Sequence, residues 1–143
     1  MGSSMKKYLL ALVLFIPSLA SAELYDFKIL RTVDGDTVKI EAPFLPAPLK
    51  PELSIRVLGV DTPEKGSLAK CQSEKDKAKD ASAFTKDFVT KGKIKVIELK
   101  GWDKYGGRVL GDIIVDGTRL SDALINGGYA RAYDGGKKSS WCN

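Results

Sequence analysis

The sequence predicts an α+β fold that is mainly β, with one longer amphipathic helix and one short helix. Runs rich in Val, Ile, Leu and Thr, which are typical of strands, fill most of 24–40, 54–60, 94–99 and 109–115. Apolar residues recur at helical spacing between Ser73 and Val89. The chain shows no internal repeat, so we expect one domain over 23–143.

A turn divides the first strand-rich region. Asp34-Gly35 lies between two apolar runs, as the turn of a β-hairpin does. Further on, residues 43–51 hold four prolines, which remove backbone donors and fix φ. The sequence therefore predicts a hairpin and then an irregular surface loop before the strand that begins near Ser54.

The longer helix is predicted from one apolar face and from its ends. The face consists of Ala78, Ala81, Phe84 and Phe88. Ser73 with Asp76 resembles a capping box, and Gly92 can end the helix. Its many lysines could form a face for nucleic acid, but aspartates intervene, which favours an ordinary solvated face.

The last third of the domain adds two strands, an Asp116-Gly117 turn and a short helix over 120–126. Few helices combined with several twisted strands favour a small barrel of the oligonucleotide-binding (OB) type, whose concave face and loops accept nucleic acid.

The N-terminal residues have the order of a secretory signal. Met5-Lys6-Lys7 precedes an apolar run to Leu19 and the small residues Ala20-Ser21-Ala22, so we expect cleavage after Ala22. Met1–Ser4 resembles a cloning remnant. The apolar run is shorter than the roughly 20 residues of a membrane span. We therefore expect an exported protein, periplasmic or secreted, without stable membrane association and by default monomeric.

Composition excludes several chemistries. The chain has no histidine, which rules out imidazole bases, Ser-His and Cys-His pairs and His-based zinc sites. Its two cysteines, Cys71 and Cys142, cannot build a structural zinc site. In an exported chain they are expected to form a disulfide worth about 4 kcal/mol, and two unpaired thiols are the alternative. The net charge of +5 falls to +3 once the signal with its two lysines is removed, and this modest surplus suits a polyanionic partner without proving one.

Three short segments carry the candidate chemistry: Asp34-Gly35-Asp36-Thr37, Arg56 with Asp61-Thr62-Pro63-Glu64, and Asp103-Lys104-Tyr105-Gly106-Gly107-Arg108. Asp36 and Asp61 offer hard oxygen ligands for a divalent cation, and Glu64 offers a base. Arg56 and Arg108 offer planar, permanently charged donors suited to a phosphate. Such a set suits cleavage of a phosphodiester.

Each segment also has a simpler interpretation. The hairpin turn by itself accounts for Asp34. For Asp36, a ligand role and a place in an ordinary turn are the two alternatives. The acids after Val60 could be solvated loop residues, although Pro63 stiffens the backbone that aims them. Lys104, Tyr105 and Arg108 could be exposed turn residues. Both tryptophans, at 102 and 141, are expected to pack against other side chains.

At these segments the chain resembles the staphylococcal nuclease (thermonuclease) family, which has Asp-Gly-Asp-Thr, Arg…Val-Asp-Thr-Pro-Glu and Asp-Lys-Tyr-Gly…Arg in the same order. The resemblance implies a five-stranded OB barrel with flanking helices. It further implies a calcium ion bound by Asp36, Asp61 and the Thr62 carbonyl, with Glu64 activating water and Arg56 and Arg108 holding the scissile phosphate. Lys104, Tyr105 and Tyr133 match family positions near the nucleotide.

The sequence thus predicts a calcium-dependent nuclease that hydrolyses DNA and RNA by in-line water attack and leaves 3′-phosphate ends. A non-catalytic OB module that binds nucleic acid is the alternative, and an exported structural domain with an incidental acidic cluster is a second. Departures from the family pattern include an extra glycine, Gly107, which precedes Arg108, and a proline loop longer than that of the family's founding member.

Overall fold

The computed structural model describes residues 23–104 and 106–142. The signal segment and Tyr105 lie outside the described residues. In chain order the elements are β1 Glu23–Tyr25, β2 Ile29–Asp34, β3 Thr37–Glu41, β4 Glu52–Val57, β5 Val60–Asp61, a 3₁₀ turn Gly66–Leu68, α1 Gln72–Lys91, β6 Lys95–Trp102, β7 Val109–Val115, β8 Thr118–Arg119, α2 Leu120–Asn126 and β9 Arg131–Ala132. The fold is α+β and mainly β, as predicted.

Seven of these strands form one sheet, with the order β1-β6-β7-β4-β3-β2 and with β8 paired to β7. The pairing of β4 with β7 is parallel, and the other neighbours are antiparallel. Strands β5 and β9 make a separate antiparallel pair. Because the described sheet ends at β1 and at β2, it is open, and the predicted five-stranded barrel is not confirmed.

The predicted hairpin is formed by β2 and β3, which pair from Asp34 and Thr37 outward. Gly35 in its turn lies against α1, where an added Cβ would come within 2.8 Å of the Ala81 Cβ. The buried Thr85 hydroxyl of α1 donates to the Gly35 carbonyl at 2.7 Å. The helix therefore fixes the turn that carries Asp36.

Helix α1 agrees with the predicted apolar face and ends at Gly92, as predicted. The predicted Ser73–Asp76 capping box is wrong, because the N-cap is Cys71, whose Sγ accepts from the Glu74 N–H at 3.4 Å. A sulfur atom beside the first turn takes the place that a hydroxyl usually occupies. The described residues contain no helix long and apolar enough to cross a bilayer.

The core lies between the sheet and the two helices. Its buried apolar side chains come from β3, β4, β5, α1, β6, β7, α2 and the following loop: Val38, Ile40, Ile55, Val57, Val60, Val89, Ile97, Val109, Ile113, Val115, Leu120, Leu124 and Ala130. Helix α2 has the predicted bounds, and the proline loop has no regular secondary structure, as expected. The two-residue strands β8 and β9 were not predicted.

An ion pair between the buried Glu98 of β6 and the partly exposed Arg119 joins β6 to the start of α2. Glu98, 3% exposed, accepts hydrogen bonds from Arg119 Nη1 at 2.7 Å and Nη2 at 2.8 Å. The hydrogen bonds from Arg119 hold the pKa of Glu98 below its usual range. Asp112 of β7 lies beside the pair, with Oδ2 3.8 Å from Arg119 Nη1. These charges compensate one another inside the sheet.

The predicted disulfide between Cys71 and Cys142 is present, with the Cα atoms 6.1 Å apart. It ties the start of α1 to the last described residue. The expectation that both tryptophans pack is wrong for Trp102, whose surface is 64% exposed, whereas Trp141 is partly buried.

Candidate active site

Asp36 emerges directly after the hairpin turn, and its carboxylate is enclosed by donors. The Thr37 hydroxyl donates to Oδ1 at 2.8 Å, and the Thr62 hydroxyl donates to Oδ2 at 3.0 Å. Arg56 Nη2 lies 3.4 Å from the same Oδ2. Because Arg56 pairs with Thr37 in the β3–β4 ladder, the sheet register itself brings cation and carboxylate together.

The electrostatics of Asp36 favour its charged form. Burial acts to raise its pKa, but hydrogen bonding from Asp34, the charge of Arg56 and the two threonine hydroxyls together lower it. Burial and the proximity of Asp36 raise the pKa of Asp34 in turn. Of the two acids in the turn, Asp36 is therefore the one that loses its proton more readily, and the deprotonated carboxylate is the form that binds a cation.

Asp61 and Thr62 end the next segment, and both are 4% exposed. Asp61 belongs to β5, whose short pairing with Arg131 of β9 fixes its backbone. Trp141 Nε1 donates to Asp61 Oδ2 at 3.1 Å, and Lys138 Nζ lies 3.5 Å from Oδ1. Each oxygen of this buried carboxylate therefore has a polar partner.

Glu64 lies at the rim of this arrangement, and its side chain is 43% exposed. Its backbone N–H donates to Glu74 Oε2 at 2.9 Å, and its own Oε1 lies 3.9 Å from Lys138 Nζ. Partial burial raises the pKa of Glu64; the Lys138 charge opposes this, and the charges of nearby acids reinforce it. A carboxylate with a raised pKa accepts a proton more readily, as a general base must.

The two predicted arginines both face one cleft. Arg56 is 12% exposed and is held by the main-chain carbonyls of Val57 and Val60, the latter at 2.9 Å. Arg108, which is 41% exposed, donates from Nε at 3.1 Å and from Nη2 at 2.8 Å to Asp103 Oδ2. Arg56, the arginine that contacts Asp36, is therefore held more rigidly than Arg108.

The cleft has a volume of about 590 Å³. Besides the two arginines, its lining includes Lys104, Tyr133 and Lys138, which give it a cationic surface with an aromatic side chain. The Tyr133 hydroxyl donates to the Gly136 carbonyl at 2.7 Å. Lys104 and Tyr133 thus line the same cleft as the two arginines, whereas Tyr105 falls outside the described residues.

The structure joins Arg56 to Asp36, places Arg56 and Arg108 along one cleft, and adds side chains that were not predicted. Lys138 and Trp141 contact the acids, and Glu74 holds the backbone of Glu64. The predicted disulfide contained a signal for the first two, because Cys142 had to lie near the segment after Glu64. No sequence signal pointed to Glu74 beyond its place in the first turn of α1.

The donor set fits a hard cation. Among residues 23–104 and 106–142, no three or more His, Cys, Asp and Glu side chains form a ready metal cluster. The candidate ligands are instead two carboxylates, Asp36 and Asp61, with the carbonyl of Thr62. Carboxylate and carbonyl oxygens are the hard donors that divalent cations such as Ca²⁺ and Mg²⁺ take.

Comparison with known proteins agrees with this geometry. A family model described as Staphylococcal nuclease homologue matches residues 54–140, more than half of the chain. The chain belongs to the staphylococcal nuclease family, which confirms the resemblance seen in its motifs.

Three relatives illustrate the similarity. The chain is 35% identical over 111 residues to the SPbeta prophage-derived endonuclease YokF of Bacillus subtilis (strain 168), covering 76% of this chain and 34% of that protein. It is 35% identical over 103 residues to Endonuclease YncB of the same organism, covering 71% and 44%. It is 29% identical over 115 residues to Thermonuclease of Staphylococcus hyicus, covering 80% and 63%. The chain spans less than two thirds of each relative's length.

Proposed function

We propose that this protein is an exported, calcium-dependent nuclease that hydrolyses phosphodiester bonds of DNA and RNA and leaves 3′-phosphate ends. The observation that carries the proposal is that two cations lining one cleft contact the predicted acids: Arg56 lies 3.4 Å from Asp36, and Lys138 lies 3.5 Å from Asp61 and 3.9 Å from Glu64. Relatives named endonuclease and thermonuclease support the reaction class. The disulfide supports export, because such bonds persist in oxidising compartments.

The acids would act in two ways. Asp36, Asp61 and the Thr62 carbonyl would hold Ca²⁺, which supplies positive charge to the phosphate and to the attacking oxygen. Glu64 would accept a proton from the attacking water. Its exposed carboxylate and raised pKa suit this role, because water must reach it and because a stronger base takes the proton more readily.

The arginines would stabilise the negative charge that grows on the phosphate as the 5′ oxygen departs. Arg56 is already fixed by two main-chain carbonyls, so its charge needs little reorganisation during the reaction. Arg108 must exchange part of its contact with Asp103 for a phosphate oxygen. Lys104 and Tyr133 would contact the flanking nucleotide from the same cleft.

The test is digestion of 5′-labelled single-stranded DNA and RNA oligonucleotides in Ca²⁺, in Mg²⁺ and in chelator. We expect cleavage in Ca²⁺, little in Mg²⁺ and none in chelator, with products whose gel mobility changes after removal of a 3′-phosphate. Asp61→Asn should abolish cleavage, whereas Asp26→Asn, which alters an exposed acid outside the site, should not. Full activity in chelator would disprove the metal site.

The same assay separates the alternative function. A non-catalytic OB module would bind the labelled strands in all three buffers without cutting them. Two acids and a base at this place disfavour this interpretation, because a pure binder has no need of carboxylates that engage Arg56 and Lys138, whose charges would otherwise attract the polyanion. A monomeric state is part of the proposal and is checked by light scattering.

A further inference from the structure

Trp141 makes a contact that packing alone does not require. Its indole N–H donates to Oδ2 of the buried Asp61 across 80 positions of sequence. An indole N–H is a donor only, so Trp141 cannot be a ligand itself. It can, however, hold one carboxylate oxygen and thereby fix the direction of the other, Oδ1. Partners of this kind orient metal ligands in many proteins.

Few ordinary restraints hold Trp141 in place, since residues 137–142 have no helix or strand. Its ring lies under the guanidinium of Arg131, 3.8 Å from ring centroid to Cζ, and its carbonyl accepts from Lys77 Nζ at 3.0 Å. The next residue, Cys142, is bonded to Cys71. The one covalent anchor of the segment therefore adjoins the tryptophan that contacts Asp61.

Cys71, the other cysteine of the disulfide, also lies close to the site. Cys71 caps α1 through the Glu74 N–H, and Glu74 accepts from the backbone of Glu64. The disulfide therefore links the segment that carries Trp141 to the helix turn that holds Glu64. A link at this position fixes the distance between the two sides of the site.

We propose that Trp141 is a positioning residue for Asp61 and that the Cys71–Cys142 disulfide keeps it there, so that cation affinity depends on the oxidised disulfide. This inference rests on the proposed function, because it assumes that Asp61 ligates Ca²⁺. Loss of the indole N–H lets the Asp61 carboxylate rotate. Ca²⁺ binding must then order this carboxylate, which makes the binding free energy less favourable.

The first test measures Ca²⁺ dissociation constants by calorimetry for the wild type, Trp141→Phe and Trp102→Phe. The chain has two tryptophans, so Trp102 supplies a matched control. We expect Trp141→Phe to weaken binding about tenfold or more, by analogy with other partners that orient ligands, and Trp102→Phe to bind as the wild type does. Cleavage by Trp141→Phe should recover at saturating Ca²⁺. Its melting temperature in chelator should lie below that of Trp102→Phe, because one oxygen of the buried Asp61 carboxylate loses its indole donor, but it should stay well above the assay temperature.

The second test adds Cys142→Ser, which preserves the Cys71 cap. In that background Trp141→Phe should have no further effect on Ca²⁺ affinity, because the tryptophan has already left Asp61. In the Trp102→Phe chain the only tryptophan emission, which excitation at 295 nm selects over that of tyrosine, comes from Trp141. Addition of Ca²⁺ should change that emission, and adding Cys142→Ser should remove the change.

The outcomes are distinguishable. A wild type that binds no Ca²⁺ overturns both the proposed function and this inference. Normal wild-type binding with an unchanged dissociation constant in Trp141→Phe overturns this inference alone. An equal effect of Trp141→Phe with and without Cys142 overturns the role of the disulfide. Should Cys142→Ser fail to fold, the comparison of Trp141→Phe with Trp102→Phe remains decisive for Trp141.

Discussion

Arg56 Nη2 lies 3.4 Å from Asp36 Oδ2, so the proposed phosphate-binding cation already forms an ion pair with a proposed metal ligand. Arg108 is placed differently, because its carboxylate partner is Asp103, which is outside the candidate ligand set. The two arginines line one cleft, yet only one of them is coupled by direct contact to a cation ligand. We therefore expect substitutions of the two arginines to differ in their effect on Ca²⁺ affinity, which a cleavage assay alone does not measure.

We expect Arg56→Gln and Arg108→Gln each to lower the cleavage rate about a hundredfold or more, because each removes charge that stabilises the transition state. Arg56→Gln should also tighten Ca²⁺ binding several-fold, since it removes a positive charge beside Asp36. Arg108→Gln should leave Ca²⁺ affinity unchanged. Rates at saturating Ca²⁺ and calorimetric titrations check the two effects separately. Equal Ca²⁺ affinities in the two variants would contradict the coupling.

Lys138 should weaken Ca²⁺ binding, because its ammonium lies 3.5 Å from Asp61 Oδ1 and 3.9 Å from Glu64 Oε1. Lys138→Gln removes this competing charge, and we expect a several-fold lower Ca²⁺ dissociation constant. Lys137→Gln, which alters the exposed neighbouring lysine, is the matched control. Titration at low and high ionic strength provides the measurement, and the difference between the two variants should shrink in salt. Weaker binding in Lys138→Gln would refute the prediction.

Glu64 and Glu74 are adjacent acids with separable roles. Glu64→Gln should lower cleavage about a hundredfold or more without a large change in melting temperature, because its backbone makes the structural hydrogen bond. Glu74→Gln should instead destabilise the chain by about 1–3 kcal/mol, since the Glu74 carboxylate accepts from the N–H groups of Glu64 and Lys70, each at 2.9 Å. Rate assays and chemical denaturation of both variants provide the check. Wild-type cleavage by Glu64→Gln would remove it from the mechanism.

We expect a side chain at position 35 to destabilise the protein unless Ala81 is replaced by a smaller residue. Gly35→Ala places a methyl group 2.8 Å from the Ala81 Cβ, and we expect a loss of about 1–3 kcal/mol from overpacking. Ala81→Gly alone should cost about 1 kcal/mol through helix propensity. The double variant should lose less than the sum of the two. Denaturant unfolding of the four chains tests this, and simple additivity would show that the close approach is unimportant.

Arg119→Gln should destabilise the chain by about 1–3 kcal/mol at neutral pH, because it leaves the buried Glu98 carboxylate short of its main donor. The folded pKa of Glu98 is lowered, so the stability it contributes is present above the unfolded pKa and is lost as pH falls through the folded value. The wild type and the variant should therefore converge in acid, below about pH 4.

A second arginine pair provides the control for this pH experiment. Arg31 also donates twice to one carboxylate, that of Glu52, at 3.1 and 2.9 Å, but the Glu52 side chain is 21% exposed, against 4% for Glu98. Because water screens an exposed pair, Arg31→Gln should have a much smaller effect than Arg119→Gln at every pH. Urea unfolding between acid and neutral pH measures both variants. Equal losses would show that burial of Glu98 does not matter.

Much of this molecule could be predicted because its signals are local. The Asp34-Gly35 turn, the bounds of α2 and the end of α1 at Gly92 each depend on residues within a few positions of one another. The start of α1 was predicted at the wrong cap, because Cys71 acts through a sulfur acceptor that propensity rules do not anticipate. The strands β5 and β9 are too short for a period-two pattern.

The candidate site could be predicted only in part, for a related reason. Recognisable motifs contain Asp36, Asp61, Glu64 and the two arginines, so these residues can be identified from residue type and order alone. Trp141 stands in no such motif, and its contact with Asp61 spans 80 positions. No periodicity or spacing encodes a contact of that length.

The sequence by itself determined the kind of chemistry available here, because the absence of histidine and the supply of acids and arginines restrict the chain to carboxylate bases and hard cations. The tertiary structure alone decided which of these groups meet. Side chains approach one another only when strand register, helix packing and a disulfide close the intervening loops, and those contacts are distributed over the whole chain. The pairing of Arg56 with Asp36 and the reach of Trp141 to Asp61 are products of that closure.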